Sequence, residues 1–502
     1  LMVVSPDLTN ESLYAAQKFV RSCLKSDGID STARWALPGG PGLWARLFSM
    51  PVSIQGIAHA DSILAVGLDS RFSFSVAGVE IRRALREGAN LVTIDARDSN
   101  LARATRHWLR PAPGKEGIVL RALAEALAGP PPAGALPGAA RGSGVEAEAL
   151  ERAVKVLAPG RNLAVVVGPA AFASDPGHEI GQALLRLGER EGTTILPLFH
   201  GANTRGALEL GVFGGLLPGL RRSPGGGLSL ADLLEGRARP KVLYLVGEAP
   251  FFERPDCDYL IAQDLYRPPF AVDAFLPAAS FAEAGGTLTN VEGRVQEIVK
   301  IEDLPDGAIT GFVRPDWFIF SAIAQGLPGA GPPFQDEREI LREISGTVEG
   351  FPSGPDRRPR RLVLREEIPT DRPRTVSSGA DGYHLVIEPG AFRHRGIDLS
   401  FAVEGLLELG LEEGFRLHPD DLEELGIPPG GQVTLGVLVL AWVLFFKGRR
   451  RPPSVRRRDD APAVAAMLAC AHCGLHVPKA EVLFDAAGRP YCGEAHRLAG
   501  PR

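Results

Sequence analysis

The residues best suited to metal chemistry lie near the end of the chain. Cys470 and Cys473 are separated by two residues, and Cys492 is followed by His496 four positions later. Three thiolates and one imidazole form a ligand set for tetrahedral Zn²⁺, and two close pairs can surround one ion from a hairpin and a turn. With four protein ligands, the predicted site is structural rather than catalytic.

Two neighbouring histidines, His472 and His476, compete with His496 for the fourth position, and free cysteines in the tail are the alternative to a metal site. The other two of the five cysteines, Cys23 and Cys257, are isolated in sequence and are interpreted as small buried hydrophobes. Five cysteines in 502 residues do not make a disulfide framework, which favours a reducing compartment.

A second kind of candidate site lies where apolar runs end. The runs 63–66 and 242–246 end in Gly67 and Gly247, and the run 91–94 ends in Asp95. Ligands of doubly wound sheets bind beyond the carboxyl ends of parallel strands, where glycine lets the backbone approach closely. These residues are therefore predicted to face a ligand, with ordinary turn geometry as the alternative for the glycines.

The elements around these runs predict an α/β protein with doubly wound parallel sheets. The stretch GPPPAGALPGAARGSG is typical of a linker, and a basic, Pro-rich stretch follows Gly354. The predicted organisation is a first α/β portion (1–128), a linker (129–144), a second α/β portion (145–330), a linker (331–375), a partial β-barrel (376–435), an apolar segment (433–446), a basic linker (447–462) and a Cys/His metal ribbon (463–502).

The segment 433–446 is almost wholly apolar, and seven of the next twelve residues are basic. Fourteen helical residues reach about 21 Å, which is short of the ~30 Å hydrocarbon core. One interpretation is a buried strand and helix. The other is a membrane contact through 433–458, because Trp442 and the following arginines are typical of an interfacial anchor.

Charge and the absence of common motifs remove the usual support for several functions. With 55 Lys and Arg against 60 Asp and Glu, the net charge of −5 gives no support to nucleic-acid binding. The chain contains no GxxxxGK[ST], no GxGxxG after a strand, no GxSxG and no HExxH motif. The N-terminus has no secretory signal, and since residue 1 is Leu we expect the chain to begin partway through a larger gene.

Several segments, in this order, resemble the molybdopterin oxidoreductase superfamily, most closely the large peripheral G-type subunit of NADH-quinone oxidoreductase, followed by formate dehydrogenase alpha subunits. They are SPDLTNESLYAAQKFVR at Ser5, ADSILAVGLDS at Ala60, NLVTIDAR at Asn90, GANTRGALELG at Gly201, YLVGEAP at Tyr244, LIAQDLY at Leu260 and FLPAASFAEAGGTLTNVEGRVQ at Phe275. With FRHRGIDLSFAVEGLLELG and FRLHPDDLEELGIPPGGQVTL, the resemblance covers about residues 5–435.

The resemblance implies a molybdopterin guanine dinucleotide site, which in this chain is vestigial or absent. The residues implied to bind the cofactor are Gly67, Asp95, Arg97, Gly247, Asn290 and Arg294. The amide of Asn290 and the guanidinium of Arg294 suit phosphate or pterin oxygens, and an internal ion pair between Arg294 and Glu292 is the alternative.

Three departures from the family limit the function that the resemblance implies. A Cys or selenocysteine supplies the metal ligand in formate dehydrogenases, whereas the matching position here is Ala36, after Ile29-Asp30-Ser31-Thr32-Ala33-Arg34-Trp35. Iron–sulfur cysteine clusters would lie upstream of Leu1. The expected barrel breaks off near Thr434, and the tail resembles small bacterial proteins with a membrane segment and a Cys/His ribbon.

The resulting hypothesis is a scaffold subunit of respiratory NADH-quinone oxidoreductase, not catalytic by itself. Its expected partners are other respiratory complex subunits, and its expected location is cytoplasmic, peripheral to or anchored at the inner membrane. The alternatives are a formate dehydrogenase-like catalytic chain and a membrane-anchored zinc-ribbon interaction module.

Overall fold

The structure is a computed structural model. It describes residues 1–368, except 38, 51, 72, 130–133, 175–178, 252, 302–312, 329–333 and 367, together with 467–469, 471–472, 476–478, 483–485 and 488–501. The chain divides into two units, Leu1–Glu413 and Gly414–Arg502. The predicted barrel over 376–435, apolar segment over 433–446 and basic linker over 447–462 lie outside the described residues.

The strands are short, and most of them are buried. In chain order they are β1 (Met2–Val4), β2 (Ile29–Ser31), β3 (Ser62–Val66), β4 (Asn90–Ile94), β5 (His107–Leu109), β6 (Leu163–Val167), β7 (Thr193–Pro197), β8 (Leu216–Leu217), β9 (Arg221–Arg222), β10 (Val242–Val246), β11 (Tyr259–Asp264), β12 (Ala274–Pro277), β13 (Gly286–Thr289), β14 (Val295–Ile298), β15 (Met467–Ala469), β16 (His476–Pro478), β17 (Leu483–Phe484) and β18 (Pro490–Tyr491).

The helices alternate with the strands through most of the first unit. They are α1 (Asn10–Lys18), α2 (Ala33–Ala36), α3 (Pro41–Phe48), α4 (Ser75–Arg86), α5 (Glu116–Ala128), α6 (Ala135–Ser143), α7 (Ala147–Leu157), α8 (Pro169–Ser174), α9 (Glu179–Gly188), α10 (Thr204–Glu209), α11 (Leu230–Leu234), α12 (Asp316–Gln325), α13 (Glu337–Thr347) and α14 (Glu494–Ala499). Among the described helices, none is both long enough and apolar enough to cross a membrane.

Two five-stranded parallel sheets form the core of the first unit. The first sheet has the order β12-β11-β10-β1-β2, and the second has the order β5-β4-β3-β6-β7. β3 and β6 are buried along their whole length, as expected for apolar strands that helices cover on both faces. The prediction of an α/β protein with parallel sheets is confirmed.

The division of the chain between the two sheets differs from the predicted one. β3 pairs with β6 in parallel across the segment 129–144, so that segment connects strands of one sheet and does not separate two sheets. The first sheet instead combines β1 and β2 with β10, β11 and β12. The second sheet is therefore contained in residues 62–197, between the two halves of the first.

The segment 129–144 is also more ordered than its composition predicts. Its described part contains α6, which packs against α5 and α7 and buries Ala139. Gly134 and Gly144 flank the helix in the left-handed conformation, and the N–H of Ala112 donates to the Ser143 carbonyl at 2.8 Å. Alanines supply the helix and glycines its ends, which explains why a linker-like composition folds.

The predicted linker 331–375 likewise contains packed structure. Asp336 caps α13 by accepting from the Glu339 N–H at 2.7 Å, and Ile340, Leu341 and Ile344 are buried. α13 packs against α1, so the linker interpretation is wrong for this part of the segment. The hydrophobic spacing i, i+1, i+4 explains the packing, because it places three apolar side chains on one helix face.

Residues 355–366, here called the strap, lie along the same unit and make backbone hydrogen bonds to it. Asp356 and Val295 exchange two backbone hydrogen bonds of 2.8 and 3.0 Å. Further along, the N–H of Arg360 donates to the Glu292 carbonyl at 2.9 Å, and the N–H of Leu362 donates to the Phe48 carbonyl at 3.0 Å. Backbone pairing therefore holds this basic segment against the core, in spite of its composition.

Candidate functional site

Each parallel sheet has one point where the chain changes direction across the sheet. In the second sheet this point lies between β3 and β6, beyond which are Gly67 and Gly168. In the first sheet it lies between β1 and β10, beyond which are Ser5 and Gly247. Ligands of open α/β sheets bind in the crevice at such points. Gly67 and Gly247, both predicted from sequence, follow strands at these two places.

Contacts within the protein itself explain why residue 67 is a glycine. Its φ is +57°, and a Cβ added there would lie 2.4 Å from the Ala171 backbone nitrogen. A Cβ on Gly168 would lie 2.3 Å from the Gly67 carbonyl oxygen. The close approach that requires glycine is therefore between the chain's own backbone segments.

Gly247 shows the same arrangement in the first sheet. Its φ is +76°, its N–H donates to the Gln263 carbonyl at 2.8 Å, and an added Cβ would meet Leu8 and Ser5 at 2.8 and 3.0 Å. Turn geometry and packing account for the glycine, and its role toward a cofactor stays a prediction.

Asp95 and Arg97 lie at the same sheet edge as Gly67, since β3 and β4 are neighbours. Asp95 is buried, and its Oδ1 accepts from the backbone N–H of Arg97 at 2.9 Å and from Arg97 Nε at 3.1 Å. The indole Nε1 of Trp108 donates to the Asp95 carbonyl at 2.8 Å. In this structure the arginine binds the aspartate next to it.

Asn290 and Arg294 occupy the turn between β13 and β14. Asn290 Oδ1 accepts from the N–H groups of Glu292 and Arg294, each at 3.0 Å. Arg294 Nε lies 2.8 Å from Glu292 Oε2, and Glu292 Oε1 accepts from the Ile54 N–H at 2.9 Å. The ion pair left open from the sequence is present, and it fixes the turn.

The six predicted residues are thus distributed over three places. Gly67, Asp95 and Arg97 share one edge of the second sheet, Gly247 belongs to the first sheet, and the remaining two lie on a hairpin turn. The polar side chains among them bind partners within the chain.

The position implied to ligate a metal, Ala36, is the last residue of α2, which closely follows β2 of the first sheet. Asp30 and Arg34 pair at 2.9 Å beside it, and Thr32 Oγ1 donates to Glu248, the residue after Gly247. Ala36 therefore lies on the segment that borders the first crevice. Its methyl group carries no lone pair, so it does not fit as a metal ligand.

A buried charged cluster, missed from the sequence, joins α10, the hairpin turn and the strap. Arg205 Nε lies 2.8 Å from Glu209 Oε1, both side chains are fully buried, and Arg360 pairs with the same carboxylate. Arg205 also donates to the Val291 carbonyl at 2.7 Å. Burial would raise the pKa of Glu209, but the guanidinium groups of Arg360 and Arg205 hold it below its ordinary value.

Two further buried carboxyl groups carry no guanidinium or ammonium partner within the described residues. Glu11 accepts from the backbone N–H and the hydroxyl of Thr287, both at 2.8 Å, and burial raises its pKa to about 7. Asp316 accepts from Gln263 Nε2 at 2.7 Å, and burial raises its pKa to about 7. Asp316 follows a proline at the start of α12, and nothing in that pattern signals burial.

We expect Asp316→Asn to remove part of the pH dependence of stability. The pKa of Asp316 is about 7 in the folded chain and near its ordinary value of 3.8 when unfolded, so its contribution is full below pH 4 and is lost as pH rises through 7. At pH 8 the variant should be more stable by about 2–4 kcal/mol. Urea unfolding at pH 5 and pH 8 measures this, with exposed Glu191→Gln as the unchanged control. Equal effects of the two variants would contradict it.

In the C-terminal unit, two of the four predicted zinc ligands, Cys492 and His496, lie next to each other. Cys492 Sγ and His496 Nδ1 lie 3.1 Å apart, and the rings of His496 and His472 are 4.5 Å apart between centroids. Cys470 and Cys473 lie outside the described residues. Among the residues that are described, no group of three or more potential ligands is gathered closely enough to hold a metal ion.

Comparisons with known proteins give several relatives that are named as oxidoreductase subunits. The chain is 31% identical to a G-type subunit of NADH-quinone oxidoreductase from Rhizobium meliloti over 60% of this chain and 41% of that one. It is 27% identical to the F420-dependent formate dehydrogenase subunit alpha of Methanocaldococcus jannaschii over 67% of this chain and 58% of that one.

A third relative, the NADPH-Fe(3+) oxidoreductase subunit alpha of Geobacter sulfurreducens, is 25% identical over 86% of this chain and 57% of its own. The chain spans about half the length of these curated relatives. No family model matches it. Acetylene hydratase from Pelobacter acetylenicus, a solved structure, has a TM-score of 0.48 and 14% identity over 69% of this chain and 58% of its own.

Proposed function

The chain belongs to the molybdopterin oxidoreductase family, and from that premise we propose that it is a scaffold subunit of a respiratory NADH-quinone oxidoreductase. The three relatives described above are named as subunits, and the one at 31% identity is a G-type subunit of that enzyme class. In this proposal its partners are other subunits of the complex. It lies on the cytoplasmic side, peripheral to the inner membrane, and takes no catalytic step by itself.

Ala36 is the observation that carries the scaffold role. An alanine at the end of α2 has no donor atom for molybdenum or tungsten, whereas thiolate or selenolate would have one. The described cysteines of the first unit do not replace it: Cys257 packs in a small apolar cluster with Leu243 and Leu260, and Cys23 ends a π-helix, Phe19–Cys23. No redox step is therefore assigned to this position.

The residues proposed for the pterin dinucleotide support a vestigial or absent site. Asp95 is bound by Arg97, and Asn290 and Arg294 are engaged in the hairpin turn with Glu292. A dinucleotide would have to compete with these internal contacts for the same polar groups. Iron–sulfur clusters belong to this proposal only as part of an upstream segment.

The expected result of metal analysis on the purified chain is molybdenum and tungsten far below one per chain, with no extractable pterin. A formate dehydrogenase alpha chain prepared in parallel shows that the host loads the cofactor. Stoichiometric metal with pterin, together with formate-dependent dye reduction, would establish the alternative, a formate dehydrogenase-like catalytic chain.

For the C-terminal unit we propose a second function, a structural zinc ribbon that serves as an interaction module. A tetrahedral Zn²⁺ bound by one sulfur and one imidazole separates the two donor atoms by about 3.6 Å, close to the arrangement of Cys492 and His496. His472 Nδ1 contacts the Gly500 carbonyl at 2.7 Å, which leaves its Nε2 as the competing donor. A membrane contact through 433–458 remains part of this proposal.

We expect the full chain to bind about one Zn²⁺, and Cys492→Ser to lose it. Zinc content after dialysis measures the effect, and Cys23→Ser, a cysteine of the first unit, is the matched control that keeps its zinc. Equal zinc content in the two variants would reject Cys492 as a ligand.

A further inference from the structure

The strap presents a row of arginines on the outside of the first unit. They are Arg357, Arg358, Arg361 and Arg365. The side chain of Arg358 is 87% exposed and that of Arg365 is 74% exposed. The exposed strand β9, Arg221–Arg222, extends this row, because the N–H of Arg222 donates to Glu366 Oε2 at 3.4 Å.

Only part of this positive charge is neutralised by neighbouring carboxylates. Arg358 pairs with Asp356 at 2.9 Å, and Arg365 pairs with Glu349. Arg357 and Arg361 have no carboxylate within ion-pair distance among the described residues. Arg360, between them, instead points inward to the buried Glu209.

The backbone under these arginines is held in place before any partner arrives. Arg360 is anchored on both its main chain and its side chain, and Leu362 is buried with its N–H bonded to the Phe48 carbonyl. A surface whose backbone is already ordered loses less conformational entropy on binding than a flexible basic tail does.

We propose that the strap, together with β9, is a docking surface for an acidic protein. Arginine is enriched in protein interfaces and pairs with carboxylates in a bidentate manner. The chain as a whole has a net charge of −5, so this surface is opposite in sign to the rest and would steer an acidic partner to one face.

The interleaved carboxylates favour a protein over a lipid or nucleic-acid partner. Asp356, Glu349 and Glu366 lie among the arginines and would repel the uniform negative charge of a phosphate backbone or an anionic bilayer. An acidic protein surface can place its own lysines or hydroxyls opposite these groups. The proposal does not rest on the function proposed above.

The test uses a labelled acidic copolymer of glutamate and lysine, rich in glutamate, as the probe, with the full chain titrated in at low and at physiological salt. We expect binding that weakens as salt is added, and a loss of about fivefold or more in affinity for Arg357→Glu/Arg361→Glu. The matched control is Arg82→Glu/Arg86→Glu, which reverses two exposed arginines on α4. Equal thermal midpoints of the two double variants show that both are folded.

Three outcomes would overturn the proposal. They are an equal loss in the two double variants, no binding of the acidic copolymer, and tighter binding of phosphatidylglycerol vesicles or duplex DNA than of the copolymer with the same dependence on Arg357 and Arg361. The last result would assign the surface to a phosphate-bearing partner instead.

Discussion

Replacing Glu209 by glutamine is expected to lower the free energy of unfolding of the first unit by about 3–5 kcal/mol. The carboxylate is fully buried between Arg205 and Arg360, and glutamine removes its charge while keeping its size. The fully buried guanidinium of Arg205 and the guanidinium of Arg360, which is 15% exposed, then lose this counter-ion. Because one belongs to α10 and the other to the strap, both should lose their anchoring.

Denaturant unfolding measures this effect, and limited proteolysis reports on the strap. Glu148→Gln is the matched control, since Glu148 pairs with Arg152 at 3.6 Å with 84% of its side chain exposed. An exposed pair of this kind contributes at most about 1 kcal/mol. If Glu209→Gln were no more destabilising than Glu148→Gln, the cluster would not be a structural anchor.

Replacing Gly67 by alanine is expected to destabilise the second sheet by about 3 kcal/mol or more. Two costs combine there: a left-handed backbone at φ +57°, and a Cβ placed 2.4 Å from the backbone nitrogen of Ala171. Backbone atoms cannot move aside as the end of a flexible side chain does. The turn between β3 and the following loop must therefore shift.

Gly88→Ala separates these two costs. Gly88 has φ +99° and no atom within 4 Å of an added Cβ, so alanine there meets backbone strain alone, about 1–2 kcal/mol. Thermal and urea unfolding of both variants give the difference. Equal losses would mean that the close approach to Ala171 relaxes freely, and the packing explanation of Gly67 would be wrong.

The strands were predictable because parallel sheets leave a strong local signal. The runs that became β3, β4, β6 and β10 are continuous apolar segments ending in Gly or Asp, and helix α4 shows its buried face at Ile81 and Ala84. Which sheet each strand joins depends instead on contacts across more than 200 residues, as between Met2 and Tyr244. Such a pairing cannot be predicted from the residues near either strand.

In the segments predicted as linkers, composition was a poor guide to structure. Glycine, proline and arginine are typical of open chain. Within 129–144 and 331–375, however, α6, α13 and the strap are held by caps, backbone pairing and one arginine that pairs with a buried carboxylate. For a related reason, the burial of Glu11 and Asp316 could not be predicted from the sequence. A carboxylate has the same local pattern whether a helix start faces solvent or the core.

The interrupted first sheet has a consequence for synthesis on the ribosome. β1 is a central strand, but its neighbour β10 is separated from β2 by the whole of the second sheet. At typical translation rates about 10–40 s pass before residue 242 follows residue 31. Before that interval ends, all strands of the second sheet have been synthesised, whereas β1 still exposes an unpaired edge that can pair wrongly. The edge of β1 that pairs with β10 therefore has to stay protected until residues 242–246 have been synthesised.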